Sequence, residues 1–176
     1  MARREAFSTN RQSLYTAAEK VRRDNTRWTL VQAILAPLQF VVFIVSLTLV
    51  VRYLMTGEGA YAATVSVVLK TLILYAIMIT GSLWEKAVFD RYLFVPAFFW
   101  EDMVSMLVLA LHTAYLICIG LGWLDISGQM YLAIAAYVAY VINAAQFVWK
   151  FRIAKAQERV PADASVVSAS MNGALR

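Results

Sequence analysis

The sequence predicts an all-α fold, an integral membrane four-helix bundle with both termini cytoplasmic. Three observations carry that prediction. Hydrophobic residues make up 61 % of the chain, far above the roughly 45–50 % of soluble proteins. The excess falls in four blocks, each about as long as the 20 or so apolar residues that a spanning helix needs. The basic residues flank those blocks on one side only, as the positive-inside rule requires of cytoplasmic segments. With 176 residues the chain allows one compact domain.

Residues 1–27 form a polar, basic cytoplasmic segment with no apolar signal-peptide core, so the first span is expected to insert as it stands. Within it, Thr16-Ala17-Ala18-Glu19 reads as a capping box that opens a short helix running to about Asp24. Leu14, Ala18 and Val21 of that helix are expected on the lipid surface, with the basic residues towards anionic headgroups. The spans follow at about 28–53, 60–84, 103–123 and 130–149, inside a membrane domain of 28–152. Trp28, Trp84, Trp123 and Trp149 sit at span ends, where interfacial anchors belong. Thr56-Gly57-Glu58-Gly59 and Asp125-Ile126-Ser127-Gly128 are tight turns, which make neighbouring spans antiparallel. The small, polar residues 153–176 read as a disordered cytoplasmic tail.

Charge and cysteine use exclude several classes. The net charge of +5 does not form a nucleic-acid-binding stripe, because the basic residues cluster beside the spans. Arg3, Arg4, Arg11, Lys20, Arg22, Arg23 and Arg27 precede the first span, and Lys150, Arg152, Lys155, Arg159 and Arg176 follow the last. Lys86 and Arg91 mark the middle junction, whereas the two short turns have only Arg52. Cys118 stands alone inside an apolar run, so neither an intrachain disulfide nor a cysteine zinc site is expected.

The candidate site is the junction between the second and third spans, GSLWEKAVFDRYLFVPAFFWED at 81–102. It sets Glu85, Asp90, Glu101 and Asp102 among Trp84, Phe89, Tyr92, Phe94, Phe98, Phe99 and Trp100. Carboxyl groups against aromatic surface at a membrane edge are poorly solvated, which favours their neutral, proton-donating form. The bland alternatives are interfacial charges, an Asp90–Arg91 pair worth little, and Asp102 or Glu101 serving the start of the third helix. Glu101 and Asp102 project about 100° apart on a helix and cannot face one site equally. Glu85, at the end of an antiparallel helix, is placed to approach one of them.

Polar residues inside the spans offer further candidates. Lys70 near mid-span is either a partner for a substrate carboxylate or a lysine that snorkels or pairs with another helix. His112 is either a metal ligand, including the axial ligand of a chlorin magnesium, or a core histidine bonded across the bundle. Glu101, Ser105, Val108 and His112 share one helix face, with Glu101 and His112 roughly 16 Å apart along the axis. Gln32, Gln39, Ser46 and Tyr53 share a face of the first span, and Asn143, Gln146 and Lys150 a face of the fourth. Such residues either bond between helices or line a cavity. Pro37 permits a kink in the first span.

The segments around LAPLQF (35–40), GSLWEK (81–86), FFWEDMVSMLVLALHTAYL (98–116) and YVINAAQF (140–147) closely resemble the 3-vinyl bacteriochlorophyllide hydratase family, "2-vinyl" in older nomenclature. The resemblance runs from about Trp28 to Arg152. It implies a hydro-lyase of bacteriochlorophyll biosynthesis in the cytoplasmic or intracytoplasmic photosynthetic membrane of a phototrophic bacterium. Such an enzyme adds water to the C3 vinyl group of chlorophyllide or bacteriochlorophyllide, giving a 3-(1-hydroxyethyl) group. The resemblance implies no cofactor, because the substrate brings its own chelated magnesium. It also implies the lipid bilayer as surroundings and other enzymes of that pathway as candidate partners, and sets no oligomeric state.

Acid-catalysed hydration protonates the terminal vinyl carbon, and water then adds at the carbon attached to the ring. It needs a protonated carboxyl group, a positioned water and a proton acceptor. Glu85 or Glu101 is the expected acid, with Asp102 positioning or deprotonating water. Trp84, Phe98, Phe99 and Trp100 are expected as flat walls, with Asn143 and Gln146 lining the cavity. Lys70, Lys86 or Arg91 is expected at the propionate carboxylate, and His112 is the candidate magnesium ligand. The competing classes are a pigment-binding or assembly protein without catalysis, and a small dimeric transporter. The transporter is disfavoured because the acids lie at a span edge rather than within a span.

Overall fold

The structure, a computed structural model, describes residues 14–158. It has five helices: α1 (Ala17–Asn25), α2 (Arg27–Thr56), α3 (Ala60–Phe89), α4 (Phe99–Leu121) and α5 (Ile126–Glu158). Helices α2 to α5 are each long and apolar enough to cross a membrane, with peak mean hydropathy between 1.6 and 2.6. The protein is therefore a multi-pass membrane protein. Residues 1–13 and 159–176, including Arg3, Arg4, Arg11 and most of the expected tail, lie outside the described residues.

Local chemistry sets the helix ends. Thr16 caps α1 in a complete capping box: its hydroxyl accepts from the Glu19 N–H, and the Glu19 carboxylate accepts from its N–H at 2.7 Å. Thr26 closes α1 and opens α2, so a single extended residue separates the two helices. Gly57 ends α2 at φ 73°, a left-handed conformation that glycine adopts without steric cost. The Asp125 carboxylate accepts from the Gly128 N–H at 2.9 Å in the first turn of α5. Pro37 lies inside α2, which continues through it.

The bundle is built from two closely packed hairpins, α2–α3 and α4–α5, laid against each other. Phe43, Val50, Val67, Leu74, Val108, Tyr115 and Tyr137 form its central core. The outward faces are also apolar, with Ile34, Val41, Leu72, Leu107 and Val138 exposed, as a lipid-facing surface must be. The two turns mark one end of the bundle. The other end, here the junction end, collects α1, the start of α2, the end of α3, residues 90–98, the start of α4 and the end of α5. A second core of Tyr15, Val88, Val95, Phe98 and Ala154 sits there.

Two expectations are revised. Helix α5 continues to Glu158, beyond the expected start of the tail at 153, because Ala154 is buried in the junction core. Helix α1 does not simply rest its apolar residues on lipid. Leu14 and Tyr15 pack into the junction core, and Arg22 donates to the Val88 carbonyl at 2.7 Å, while Val21 is exposed.

Candidate functional site

Glu85 on the last turns of α3 and Asp102 on the first turn of α4 are both buried, at 6 % and 3 % exposure. Their carboxyl groups adjoin each other where the two helices meet. Burial and a neighbouring carboxylate both disfavour ionising the pair fully, which favours a proton on one of them. One backbone bond holds the pair: the Phe94 N–H donates to Asp102 Oδ2 at 2.7 Å, and the Val95 backbone lies beside the Glu85 carboxyl group. Phe94 has φ 58°. A bulky side chain rarely adopts that left-handed conformation, and the bond to Asp102 helps hold it.

Glu101 takes the other direction. Its Oε2 accepts from Lys150 Nζ at 2.8 Å, in an ion pair joining α4 to α5. One turn deeper, Asn143 Nδ2 donates to Ser105 Oγ at 2.8 Å. The shared face of Glu101, Ser105, Val108 and His112 is thus wholly buried, and it zips against the Asn143–Gln146–Lys150 face of α5.

A cavity of about 590 Å³ opens at the junction end, lined by Leu14, Phe89, Val95, Pro96, Ala97, Glu19, Arg91 and Lys150. That volume lies within the range of small-molecule sites. Its walls are about equally polar and apolar, and Val95 lies both in its lining and beside the carboxyl pair. Of its cations, Lys150 is committed to Glu101, whereas Arg91 has no ion pair among the described residues and is exposed.

The aromatic candidates separate into two groups. Phe98 is fully buried and packs edge-on to Trp84 and Phe89, with Lys150 Nζ 5.4 Å from its ring centre. Trp84 donates to the Thr29 hydroxyl at 3.0 Å. Both hold the junction core together. Phe99 and Trp100 point outwards, with Trp100 70 % exposed, as interfacial anchors do. Lys86 pairs with Asp90 at 2.6 Å on the surface, replacing the expected Asp90–Arg91 pair. That hydrogen bond holds the Asp90 carboxyl below the usual carboxylate range.

Lys70 and His112 lie deeper, roughly 22 Å along α3 from Glu85. Lys70 does not snorkel. It is fully buried, with Nζ 3.0 Å from His112 Nε2 and 4.1 Å from the Tyr140 ring centre, flanked by Tyr137 and Phe43. Cation–π contacts of about 2 kcal/mol when desolvated offset part of the burial cost. His112 Nδ1 donates to the Val108 carbonyl at 2.8 Å, so its tautomer leaves Nε2 to accept from Lys70. Both ring nitrogens are engaged.

The sequence pattern that defines 2-vinyl bacteriochlorophyllide hydratase (BCHF) matches residues 15–153. The chain belongs to the 2-vinyl bacteriochlorophyllide hydratase family. It is 62 % identical over 148 residues to the 2-vinyl bacteriochlorophyllide hydratase of Rhodobacter capsulatus, covering 84 % of this chain and 86 % of that protein. It is 59 % identical over 147 residues to the Cereibacter sphaeroides protein of the same name, covering 81 % and 88 %. No solved structure matches the chain.

Within that family frame, two site elements had no reading in the sequence. One is the wall that Leu14 and Glu19 lend to the cavity. The signal was present in the apolar pair Leu14-Tyr15 directly before the Thr16 cap. The other is the backbone donor at Phe94, which depends on a left-handed residue that no side-chain pattern announces.

Proposed function

We propose that the Glu85–Asp102 pair is the acid–base centre with which this chain, a hydratase and hydro-lyase of bacteriochlorophyll biosynthesis, adds water to the substrate's vinyl group. The observation that carries this reading is two adjoining carboxyl groups, both buried, beside a cavity that shares Val95 with them. The pair gives its proton to the terminal vinyl carbon. Positive charge develops at the carbon attached to the macrocycle and spreads into the ring. Water bonds to that carbon and returns a proton to the pair, so the net change is the addition of one water. A positioned acid or base contributes about 10²–10⁴-fold.

The macrocycle occupies the junction-end cavity, its flat faces against Phe89, Val95 and Pro96, and its propionate carboxylate on Arg91. Arg91 is preferred over Lys70 and Lys86 because each lysine already has a partner. Glu101, tied to Lys150, positions the start of α4 rather than donating a proton. Magnesium belongs to the substrate, and this reading does not use His112 as its ligand, since both ring nitrogens are bonded within the bundle. The junction end and both termini face the cytoplasm of a phototrophic bacterium's inner membrane, where basic flanks are retained.

The test incubates detergent-purified protein with a 3-vinyl chlorophyllide in oxygen-18 water and reads the product by mass spectrometry. Wild type is expected to add one labelled water, and Glu85→Gln and Asp102→Asn are expected to add none. Full hydration by both variants overturns the pair as the acid. Bound but unconverted pigment with wild type favours a pigment-binding protein.

A further inference from the structure

Between the carboxyl pair and the Lys70–His112 contact lies a layer of buried amide groups whose polar atoms are unsatisfied. Gln39 is 1 % exposed, and neither its Nε2 nor its Oε1 has a partner among the described residues. Asn143 Oδ1 and Gln146 Oε1 are likewise buried without partners among the described residues. A buried amide atom left unpaired is costly, so three such side chains within about one helical turn of depth call for an occupant.

They lie within about one helical turn of one another in depth. Ser46 bonds Tyr137 at 2.6 Å, and the Phe43 ring lies 4.9 Å from that of Tyr140. Continuing this antiparallel register one turn places Gln39 level with Asn143 and Ala144. Gln146 lies one turn nearer the junction end, and Ser105, bonded to Asn143, is only about 4.5 Å of axial rise beyond Asp102. The chemistry is complementary: Gln39 offers two N–H donors and an acceptor, while Asn143 and Gln146 offer acceptors. A water molecule accepts from the first and donates to the others, making the two to four bonds that buried water requires.

We propose that Gln39, Asn143 and Gln146 hold a buried water cluster that supplies the water added in the reaction. The inference rests on the hydratase reading above. The substrate approaches the carboxyl pair from the cavity side, and water approaches from inside the bundle. The oxygen that bonds to the substrate then comes from a position fixed by protein. One of its protons returns to the Glu85–Asp102 pair, and the cluster refills from bulk water between turnovers.

The test compares Gln39→Leu, Gln39→Asn and Asn143→Leu with wild type in the oxygen-18 assay, with kcat, KM and melting temperature in detergent. Gln39→Leu is expected to lower kcat by about 10- to 100-fold, the scale of a misplaced reactant, with KM changed less than about 2-fold. Its melting temperature is expected to stay close to that of wild type, because the amide and the water it holds leave together. Gln39→Asn, which keeps the amide, is expected to recover most of the lost rate. Asn143→Leu is expected to repeat the kcat defect, and it decides the matter if Gln39→Leu does not fold. An unchanged kcat in the leucine variants, or a loss that follows melting temperature or KM and is not relieved by Gln39→Asn, overturns the water site. Wild type reports separately on the hydratase reading: if it adds no water, that reading falls and the water site with it.

Discussion

The two halves of the bundle solve the problem of polar groups in a membrane in different ways. In the turn-end half, polar groups close into local sets. Ser46 bonds both Ser66 and Tyr137, at 2.7 and 2.6 Å, and Ser66 also bonds the Ala63 carbonyl at 2.7 Å. Each of these groups satisfies another, and the Tyr115 hydroxyl is the one buried side-chain atom of that half without a partner among the described residues. The junction-end half instead carries two adjoining buried carboxyl groups, an Arg91 without an ion pair among the described residues, unpaired amide atoms on Gln39, Asn143 and Gln146 among those residues, and left-handed Asp90 and Phe94. Strain and unsatisfied groups concentrate where function is housed. The contrast teaches that membrane-buried polarity is informative when it is incompletely paired.

The largest break in this contrast comes from removing a carboxyl group of the Glu85–Asp102 pair. Glu85→Gln keeps the shape but cannot donate a carboxylic proton, and hydration is expected to fall by at least about 100-fold. Asp102→Asn should match it and also weaken the bond that holds Phe94, so residues 90–98 are expected to become more protease-sensitive in that variant alone. Measured rates near wild type would remove the chemical distinction between the halves.

Next in size is Lys150→Met. It leaves Glu101, 7 % exposed, without its cation, and a buried charge that loses its partner costs up to 3–5 kcal/mol. Lys150 itself remains about a quarter exposed, so solvent reduces the expected loss to about 1–2 kcal/mol. Denaturation in detergent should show this loss, and Lys150→Met/Glu101→Gln should restore part of it. Arg91→Gln is a smaller change, expected to raise KM about 3- to 10-fold with kcat nearly constant. A substrate methylated at the propionate should be indifferent to that substitution, which separates charge recognition from packing.

The helices were legible in the sequence because membrane spans announce themselves by length and by flanking charge. The sequence also gave the meeting of two helix ends at Glu85, and the divergence of Glu101 from Asp102. It did not choose which acid turned towards Glu85, because that depends on how α4 is rotated against α3 and α5. Lys150 settles the rotation by drawing Glu101 towards α5, which leaves Asp102 facing α3. Phe98 and Trp100 look equivalent as aromatic residues two positions apart, yet one is fully buried and the other 70 % exposed. Composition identifies such residues as interfacial, and only the path of residues 90–98 assigns their sides.

The smallest prediction tests the turn-end half. Ser66→Ala removes a hydroxyl that bonds Ser46 at 2.7 Å and its own helix at the Ala63 carbonyl. Side-chain hydrogen bonds between membrane helices average only about 0.6 kcal/mol, and Ser46 retains Tyr137. The expected cost is therefore about half a kcal/mol of stability, with kcat and KM unchanged. A kcat loss comparable to that of Gln39→Leu would show that the closed polar set and the open one are coupled through the intervening Lys70–His112 layer. The Lys70 contact with Tyr137, whose hydroxyl bonds Ser46, is a physical route by which such coupling would travel.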